Sequence, residues 1–216
     1  MQERGIVAPF CVYAGSQTDG RGQRSRVWES QPFENILASF LVDNFGQLSN
    51  LPQLNNAATL AIVDTLKEYE VNNIKVKWPN DVFVGSKKIA GILIENIVSQ
   101  QEVKKAVVGI GVNVNQKHFN KFEATSVVNE LGYSVSVIEF LQVLYKHFYS
   151  YITKDKLLLN QSVNENLYKK GEMVTFKENE KKQSYIVNHI CLNGSLQVSA
   201  MGEHFELEHH KVKWVK

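Results

Sequence analysis

Four runs rich in valine and isoleucine follow one another between residues 74 and 114, and this succession constrains the fold more than any other feature of the chain. The runs cover residues 74–78, 82–84, 89–98 and 103–114, and their composition is typical of β-strands. A glycine-bearing turn at residues 85–87 joins the second run to the third. A β-sheet is therefore the predicted centre of the domain.

Apolar residues at helical spacing surround these predicted strands. Residues 54–66 place apolar side chains on one helical face, and the same spacing returns at residues 127–131, 137–151 and 157–168. Further strand-like runs lie at residues 7–13 and 35–42. Together these elements predict an α+β fold, in which a mixed β-sheet is packed by helices on one face.

The composition changes near Gly171 to short β-rich runs at residues 173–176, 184–190, 196–200 and 212–215. These runs predict a small β barrel at the end of the chain. The change divides the sequence into a predicted larger domain, residues 1–170, and a predicted small β domain, residues 171–216.

Charge and cysteine content argue against several classes of protein. The formal net charge of +2 gives no field that would draw nucleic acid to the whole protein. Cys11 and Cys191 lie far apart without C-x-x-C spacing, which argues against a disulfide framework or a zinc site and fits a reducing compartment. Apolar stretches such as residues 36–42 are too short to span a bilayer. We therefore predict a soluble, cytoplasmic protein that binds neither membrane nor nucleic acid.

The most unusual stretch is residues 15–28, GSQTDGRGQRSRVW, which follows a predicted strand and contains Arg21, Arg24 and Arg26. Glycine lets backbone N–H groups approach an anion closely, and arginine offers planar, paired donors to carboxylate or phosphate. The stretch, called here the basic loop, therefore suits an anionic ligand. On these residues alone a solvated surface loop explains it equally well, and Trp28 also fits a core position.

The segment KWPND, residues 77–81, places two oxygen-bearing side chains directly after a predicted strand. Asn80 and Asp81 are hard oxygen donors that suit a magnesium ion bridging to phosphates, and Lys77 offers a point charge nearby. Spacing alone favours an ordinary Asn-Asp turn over this interpretation by roughly two to one.

Two later strands also carry positions suited to chemistry. Lys88 leads into an apolar strand in which Gly91 leaves room beside the backbone, and a lysine there can neutralise a carboxylate or a developing negative charge. Residues 109–115, GIGVNVN, combine glycines that allow close approach with asparagines that end the strand. Taken singly, Lys88 is more often a surface lysine of a hairpin, and the glycine-bearing strand is a weak signal.

Together and in this order, the four segments resemble the biotin protein ligase family. The resemblance rests on residues 20–28, 77–81, 88–95 and 109–115; it is strong over residues 8–115 and weaker in the following helix and the β-rich tail. It implies the class II synthetase-like fold of biotin and lipoate ligases, followed by a small C-terminal SH3-like β barrel.

The resemblance also implies an activity in two steps. Members of the family make biotinyl-5′-AMP and pyrophosphate from biotin and MgATP, and then pass the biotinyl group to a carrier lysine. The implied activity is that of a biotin--[acetyl-CoA-carboxylase] ligase, with ATP and Mg²⁺ as cofactors, biotin as substrate and a biotin carboxyl carrier protein as partner. Some members form homodimers.

By motif position, the resemblance assigns Lys88, Asp81 and Arg21 to catalysis. Lys88 would bond the biotin carboxylate or the phosphate joined to it, and Asp81 would orient or deprotonate the carrier lysine. Arg21, Lys88 and magnesium would relieve the repulsion between the biotin carboxylate and the α-phosphate.

The remaining assignments concern binding. Biotin's ring, its valerate arm, the phosphates and the nucleoside would be contacted by Gln17, Gly20, Gly22, Arg24, Arg26, Trp28, Lys77, Asn80, Gly91, Asn113 and Asn115. Asn80 and Asp81 would face magnesium. Phe119 or Phe122 would cover the adenine.

The sequence departs from the family pattern at several points. Members normally carry a Ser-Thr-Asn type segment upstream of the basic loop that contacts the biotin ring, but residues 1–9 contain no serine or threonine. Gln23 stands where many members have arginine, and Ser25 where glycine is usual. These departures predict weaker binding of biotin and a looser hold on biotinyl-AMP.

Two rival interpretations follow from the same residues. A lipoate ligase shares the fold and the acyl-adenylate chemistry, although the wording of the motifs favours biotin. Outside the enzymes, a non-catalytic paralogue that binds biotin or its adenylate would explain the departures. No helix-turn-helix region precedes the ligase segments, and we therefore predict no operator binding.

Overall fold

The computed structural model describes residues 10–100, 102–119 and 123–215. Its first sheet has six strands in the order β1-β2-β6-β5-β4-β3. Their bounds are β1 (Phe10–Tyr13), β2 (Ile36–Gln47), β3 (Ile74–Lys77), β4 (Asp81–Val84), β5 (Lys87–Ser99) and β6 (Glu102–Val112). The predicted succession of strands between residues 74 and 114 is thus confirmed, and it forms the half of the sheet that carries the KWPND segment.

Every ladder in this sheet is antiparallel. Parallel contacts occur as single bridges, between Lys88 and Ala124 and between Val76 and Leu167. The predicted mixed sheet is therefore antiparallel along its strands, because the links between neighbouring strands β3, β4, β5 and β6 are short turns. A parallel pairing would have required a long crossover connection.

Four helices accompany the sheet: α1 (Leu51–Glu68), α2 (Val127–Leu131), α3 (Val137–Tyr151) and α4 (Lys156–Glu165). Helix α1 packs against α3, α4 and strands β3, β4 and β5. Helix α3 begins at a capping serine, since the Ser136 hydroxyl accepts from the Glu139 N–H. Phe148 of α3 packs on Phe40 of β2 with ring centroids 4.8 Å apart. The helical spacing seen in the sequence therefore marks the face that covers the sheet.

The end of the chain forms a second, five-stranded antiparallel sheet, called here the C-terminal sheet. Its strands are β7 (Met173–Glu178), β8 (Lys181–Ile190), β9 (Leu196–Ala200), β10 (Glu203–Leu207) and β11 (Lys213–Trp214), in the order β10-β9-β8-β7-β11. It stands where the sequence predicted an SH3-like barrel. Its edge strands β10 and β11 do not pair with each other among the described residues.

Side-chain amides fasten the C-terminal sheet to the first unit. Asn164 of α4 accepts from the Ile190 N–H at 2.7 Å and donates to the Ile190 carbonyl at 3.0 Å. The Trp78 indole N–H donates to the Gly194 carbonyl at 2.9 Å. The predicted domain border at residues 170 and 171 falls between α4 and β7, and these contacts cross it.

Among the described helices, none has the length and apolar character that a membrane crossing needs.

A buried amide pair, Asn35 and Gln116, ties the residue before β2 to the segment that follows β6. It gives a stability prediction. Asn35 is 1% exposed; its Nδ2 donates to Gln116 Oε1 at 2.6 Å and its Oδ1 accepts from the Val114 N–H at 2.9 Å. Asn35→Ala would leave the buried Val114 N–H without a partner, so we expect a loss of about 2 kcal/mol in the free energy of unfolding in urea. The exposed turn variant Asn72→Ala should change it by less than about 0.5 kcal/mol. Equal effects of the two variants would contradict this role of Asn35.

Candidate active site

A cavity of about 1360 Å³ lies between the basic loop, strands β5 and β6, the KWPND segment and the C-terminal sheet. Its wall contains most of the residues singled out from the sequence. Those on the wall are Gln17, Arg21, Gly22, Arg24, Arg26, Trp28, Lys77, Asn80, Asp81, Lys88, Gly91, Asn113 and Phe119. Segments far apart in sequence thus meet at one place, as the resemblance implied.

The basic loop is closed by its own backbone. The Trp28 N–H donates to the Gly20 carbonyl at 2.9 Å, and the Gly22 N–H donates to the Arg26 carbonyl at 2.7 Å. A Cβ at Gly20 would lie 2.3 Å from the Trp28 carbonyl oxygen, so this position requires glycine. Gly20 is not among the cavity residues; contrary to the predicted ligand contact, its described role is to close the loop. Gln17 also serves the loop, since its Nε2 donates to the Trp28 carbonyl at 3.2 Å.

The Trp28 indole lies on a glycine floor formed by Gly91 of β5 and Gly111 of β6. A Cβ built at Gly111 would stand 2.6 Å from the indole ring, and one at Gly91 would stand 3.2 Å from it. The Trp28 Nε1 is buried and has no hydrogen-bond partner in the described part of the chain. A buried N–H without a partner is costly, and an acceptor on a ligand would satisfy it.

The glycine floor gives a binding prediction. Real Cβ atoms do not approach other atoms to 2.6 Å, so Gly111→Ala must displace the Trp28 ring. We expect biotin affinity, measured by isothermal titration calorimetry, to fall by about tenfold or more. Lys105→Ala on the same strand is the control, because Lys105 is exposed and lies outside the described cavity wall. Unchanged affinity in Gly111→Ala would show that the position of Trp28 does not shape the biotin site.

Lys88 and Asp81 form an ion pair inside the cavity. The Lys88 Nζ lies 2.6 Å from the Asp81 Oδ1, and the two side chains are 29% and 17% exposed. The same ammonium lies 5.4 Å from the centroid of the Trp28 ring. The Lys88 backbone is fixed by hydrogen bonds to Glu123 and Thr125. The lysine therefore stands between the one carboxylate of the KWPND segment and the aromatic wall, where a ligand anion would compete with Asp81 for it.

Arg21 is held in the described structure by a residue that the sequence analysis left without a role. Its guanidinium nitrogens lie 3.0 and 3.3 Å from the two oxygens of Glu95, on β5. Both side chains are exposed, so the pair adds little to stability. Because this exposed pair is weak, a stronger anion such as a phosphate could take the place of Glu95 at Arg21.

Arg24 and Lys77, both predicted to meet ligand phosphates, are engaged by the protein itself. The Arg24 Nη2 donates to the Val212 carbonyl at 2.8 Å, and the backbone of Arg24 has a φ of 58°. The Lys77 Nζ lies over the rings of Phe83, Tyr168 and Trp214. Both side chains thus make contacts that reach the C-terminal part of the chain, and their roles in binding a ligand stay predictions.

Asn113 and Asn115 end β6 through backbone contacts. The buried Asn113 donates from Nδ2 to the Thr125 carbonyl at 3.0 Å. Asn115 donates to the Val135 carbonyl at 2.8 Å and accepts from the Val135 N–H at 3.1 Å. Asn115 is absent from the described cavity wall, and its contact with adenine or ribose stays a prediction. Phe122 lies outside the described residues.

Several wall residues were not found from the sequence. One of them is Gln116, which accepts a hydrogen bond from Asn35. The others are His209, Val212 and Lys213, which come from the end of the chain. Burial, followed by the neighbouring charges of His210 and Arg24, lowers the pKa of His209. No local motif marks His209, Val212 and Lys213, because they reach the cavity only through the docking of the C-terminal sheet.

The oxygen donors at Asn80 and Asp81 fit a magnesium site to which the protein contributes few ligands. Among the described residues no group of three or more His, Cys, Asp or Glu side chains forms a metal site. One carboxylate, Asp81, and one amide, Asn80, stand at the head of β4; the Asn80 Nδ2 donates to the Ile92 carbonyl at 2.7 Å. This small set of oxygen donors suits a magnesium ion that is held chiefly by ATP phosphates and water.

Comparison with known proteins agrees with this geometry. The Biotin/lipoate A/B protein ligase family matches residues 4–113. The Bacillus subtilis "Bifunctional ligase/repressor BirA" is 39% identical over 106 residues, 49% of this chain and 33% of that protein. The Paracoccus denitrificans "Biotin--[acetyl-CoA-carboxylase] ligase" is 33% identical over 148 residues, 65% of this chain and 61% of that protein. The chain thus spans about a third of the first relative and 61% of the second.

The fold is also similar to solved structures. A biotin protein ligase from Aquifex aeolicus, in complex with biotin and ATP, superposes with a TM-score of 0.81 and 26% identity. The superposition covers 95% of this chain and 88% of that one, so it includes the C-terminal sheet. On the family match over residues 4–113, this chain belongs to the Biotin/lipoate A/B protein ligase family.

Proposed function

We propose that this protein is a biotin protein ligase, which activates biotin with MgATP to biotinyl-5′-AMP and then transfers the biotinyl group to a lysine of a carrier protein. The observation that carries the proposal is the cavity in which the Lys88–Asp81 pair stands beside Trp28 on a glycine floor. The Paracoccus and Aquifex relatives named above support biotin over lipoate, since their names specify biotin.

In the first step, the biotin carboxylate attacks the α-phosphate of ATP and pyrophosphate leaves. Two anions must approach each other, and Lys88 is positioned to neutralise them because its ammonium is already in the cavity. Arg21 would exchange Glu95 for a phosphate oxygen, which is a stronger partner than an exposed carboxylate. Arg26, exposed on the cavity wall, would meet the outer phosphates. Bound magnesium would supply further charge neutralisation, with Asp81 and Asn80 as the protein oxygens nearest to it.

In the second step, a neutral lysine amine of the carrier attacks the mixed anhydride and AMP leaves. Once the ligand's anion has taken Lys88, the Asp81 carboxylate is released from its ion pair and can accept a proton from the amine or orient it. The same lysine would therefore serve both steps, first by binding the anion and then by freeing the base.

The carrier is proposed to be a biotin carboxyl carrier protein, as the name of the Paracoccus relative suggests. This identification stays a proposal, as do the roles of Gln17, Gly22 and Gly91 in binding biotin. Cytoplasmic location, homodimer formation and the lack of nucleic-acid binding stay predictions from the sequence.

The experiment that tests the proposal is the exchange of labelled pyrophosphate into ATP, with magnesium present and with biotin or lipoate as the acid. It reports the first step without a carrier. We expect exchange that depends on biotin and is absent with lipoate. Exchange with lipoate alone would make the protein a lipoate ligase, and no exchange by folded protein with either acid would favour the non-catalytic paralogue.

A further inference from the structure

Lys77, the lysine of the KWPND segment, has its ammonium group over three aromatic rings. Its Nζ lies 4.6 Å from the centroid of Phe83, 5.8 Å from that of Tyr168 and 5.4 Å from that of Trp214. An ammonium within about 6 Å of a ring centroid is attracted by the negative face of the ring. We call these three rings the aromatic cage.

The cage joins parts of the molecule that are distant in sequence. Phe83 belongs to β4, Tyr168 follows α4, and Trp214 belongs to β11 of the C-terminal sheet. The Tyr168 ring lies 5.3 Å from that of Phe83 and 6.1 Å from that of Trp214, and Trp214 in turn packs on Phe176 of β7 at 4.9 Å. Lys77 is therefore the cation around which the C-terminal sheet meets the first sheet.

Trp214 makes its described contacts through the faces of its ring and not through a hydrogen bond of its indole N–H. Its Nε1 is buried and has no hydrogen-bond partner among the residues that the structure describes. A buried indole N–H without a partner opposes docking of this ring, so packing and the ammonium must stabilise the contact. Loss of the Lys77 charge should therefore loosen Trp214 first.

The same end of the β3–β4 hairpin carries the candidate catalytic carboxylate. Lys77 of β3 is paired in register with Asp81 of β4, and Asn80 lies in the turn between them. The Tyr168 N–H donates to the Val76 carbonyl at 2.8 Å, immediately before Lys77. Anything that fixes Lys77 also fixes the strand pair from which Asp81 projects into the cavity.

We propose that Lys77 is a positioning residue: its ammonium, held in the aromatic cage of Phe83, Tyr168 and Trp214, fastens the C-terminal sheet to the β3–β4 hairpin and so holds Asp81 in place for the transfer step. The inference rests on the proposed ligase function for its kinetic consequence. It replaces the earlier expectation that Lys77 is a point charge for a phosphate, because an ammonium that bound phosphate would have to leave three rings.

The first test measures the clamp itself and does not depend on activity. Hydrogen–deuterium exchange is compared between the wild type, Lys77→Met and Lys77→Arg, at the Tyr168 amide and at the Val215 amide, which donates to Thr175 at 2.8 Å. Methionine keeps the apolar stem without the charge, whereas arginine keeps a cation that also binds aromatic faces. We expect both amides to exchange at least about tenfold faster in Lys77→Met and to be restored to within about threefold of the wild type in Lys77→Arg.

The second test separates positioning from ligand binding. In Lys77→Met, the kcat for transfer from biotinyl-AMP to a carrier domain should fall by about tenfold, and the KM values for biotin and ATP should stay within about twofold of the wild type. Lys77→Arg should recover most of the kcat. Lys75→Met, on the same strand but away from the cavity wall, is the matched control and should behave as wild type in both tests.

Two results would overturn the inference. Unchanged amide exchange in Lys77→Met would show that the cage does not hold the C-terminal sheet. A rise of about tenfold in the KM for ATP, with amide exchange as in the wild type, would return Lys77 to the role of a phosphate ligand. Failure of the proposed function is distinguishable, because it would show as an inactive wild type, whereas the exchange comparison would still measure the clamp.

Discussion

Replacing Lys88 with methionine is expected to lower biotin-dependent exchange of pyrophosphate into ATP by about 10²- to 10³-fold. The physical reason is the approach of two anions in a partly enclosed cavity, where the Lys88 ammonium already stands 2.6 Å from a carboxylate oxygen. Methionine keeps an apolar stem of similar length but removes the charge, and with it the contact of the ammonium with the Trp28 ring. The assay follows labelled pyrophosphate into ATP at saturating magnesium.

The neighbouring lysine offers a matched control for this variant. Lys87 lies on the same strand, is exposed, and is not part of the described cavity wall. Lys87→Met should therefore exchange pyrophosphate at the wild-type rate to within about twofold. If Lys88→Met kept more than about a tenth of the wild-type rate, the charge of Lys88 would not be the main stabiliser of the first step.

The elements that depend on periodic apolar residues could be predicted from the sequence. The spacing within residues 54–66 and 137–151 marks the buried faces of α1 and α3 because each helix has a continuous apolar stripe against the sheet. Strand β10 has no such signal. In Glu203–Leu207 the inward apolar side chains are Phe205 and Leu207 alone, so the alternation is too short to identify a half-buried strand.

The candidate site could be predicted from the sequence where the two residues of an interacting pair lie in neighbouring motifs. Asp81 and Lys88 lie on adjacent strands of one hairpin, so their segments are near each other in sequence and in space. Arg21 and Glu95, by contrast, are separated by 74 positions in the sequence. The contacts of the Lys77 ammonium with the rings of Tyr168 and Trp214 depend on how the C-terminal sheet docks. The resemblance assigned Arg21 to catalysis, and the KWPND segment suggested Lys77 as a point charge beside magnesium. Their protein partners could not be predicted, because those contacts depend on the tertiary structure.

The difference between the two parts of the site has a consequence for mechanism. Lys88 and Asp81 pair with each other on neighbouring strands of the first sheet, and the proposed clamp at Lys77 makes the position of Asp81 depend on the C-terminal sheet as well. Residues whose partners are remote, such as Arg24 with Val212, are fixed only when the C-terminal sheet is docked. The C-terminal sheet therefore contributes to the shape of the site as well as to stability, and the proposed second step should be the more sensitive to its docking, because that step needs Asp81 in a defined position.

Asp81→Asn is expected to lower the rate of biotin transfer from preformed biotinyl-AMP to a carrier domain by about 100-fold. Asparagine has nearly the same shape and can still accept a hydrogen bond from Lys88, but it cannot take a proton from the attacking amine. Pyrophosphate exchange, which does not require a base, should fall by less than about tenfold. The two rates are measured separately, in single-turnover transfer and in the exchange assay.

Asp43→Asn supplies the control for this prediction, since Asp43 lies on β2 and outside the described cavity wall. Both rates should match the wild type in that variant. Equal losses in the two assays of Asp81→Asn would assign Asp81 to magnesium or to the structure of the hairpin, because either role would affect adenylation as much as transfer. A loss confined to transfer would identify Asp81 as the group that acts on the carrier lysine, and would give the Lys88–Asp81 ion pair a role, because a ligand anion that binds Lys88 would release the carboxylate for that step.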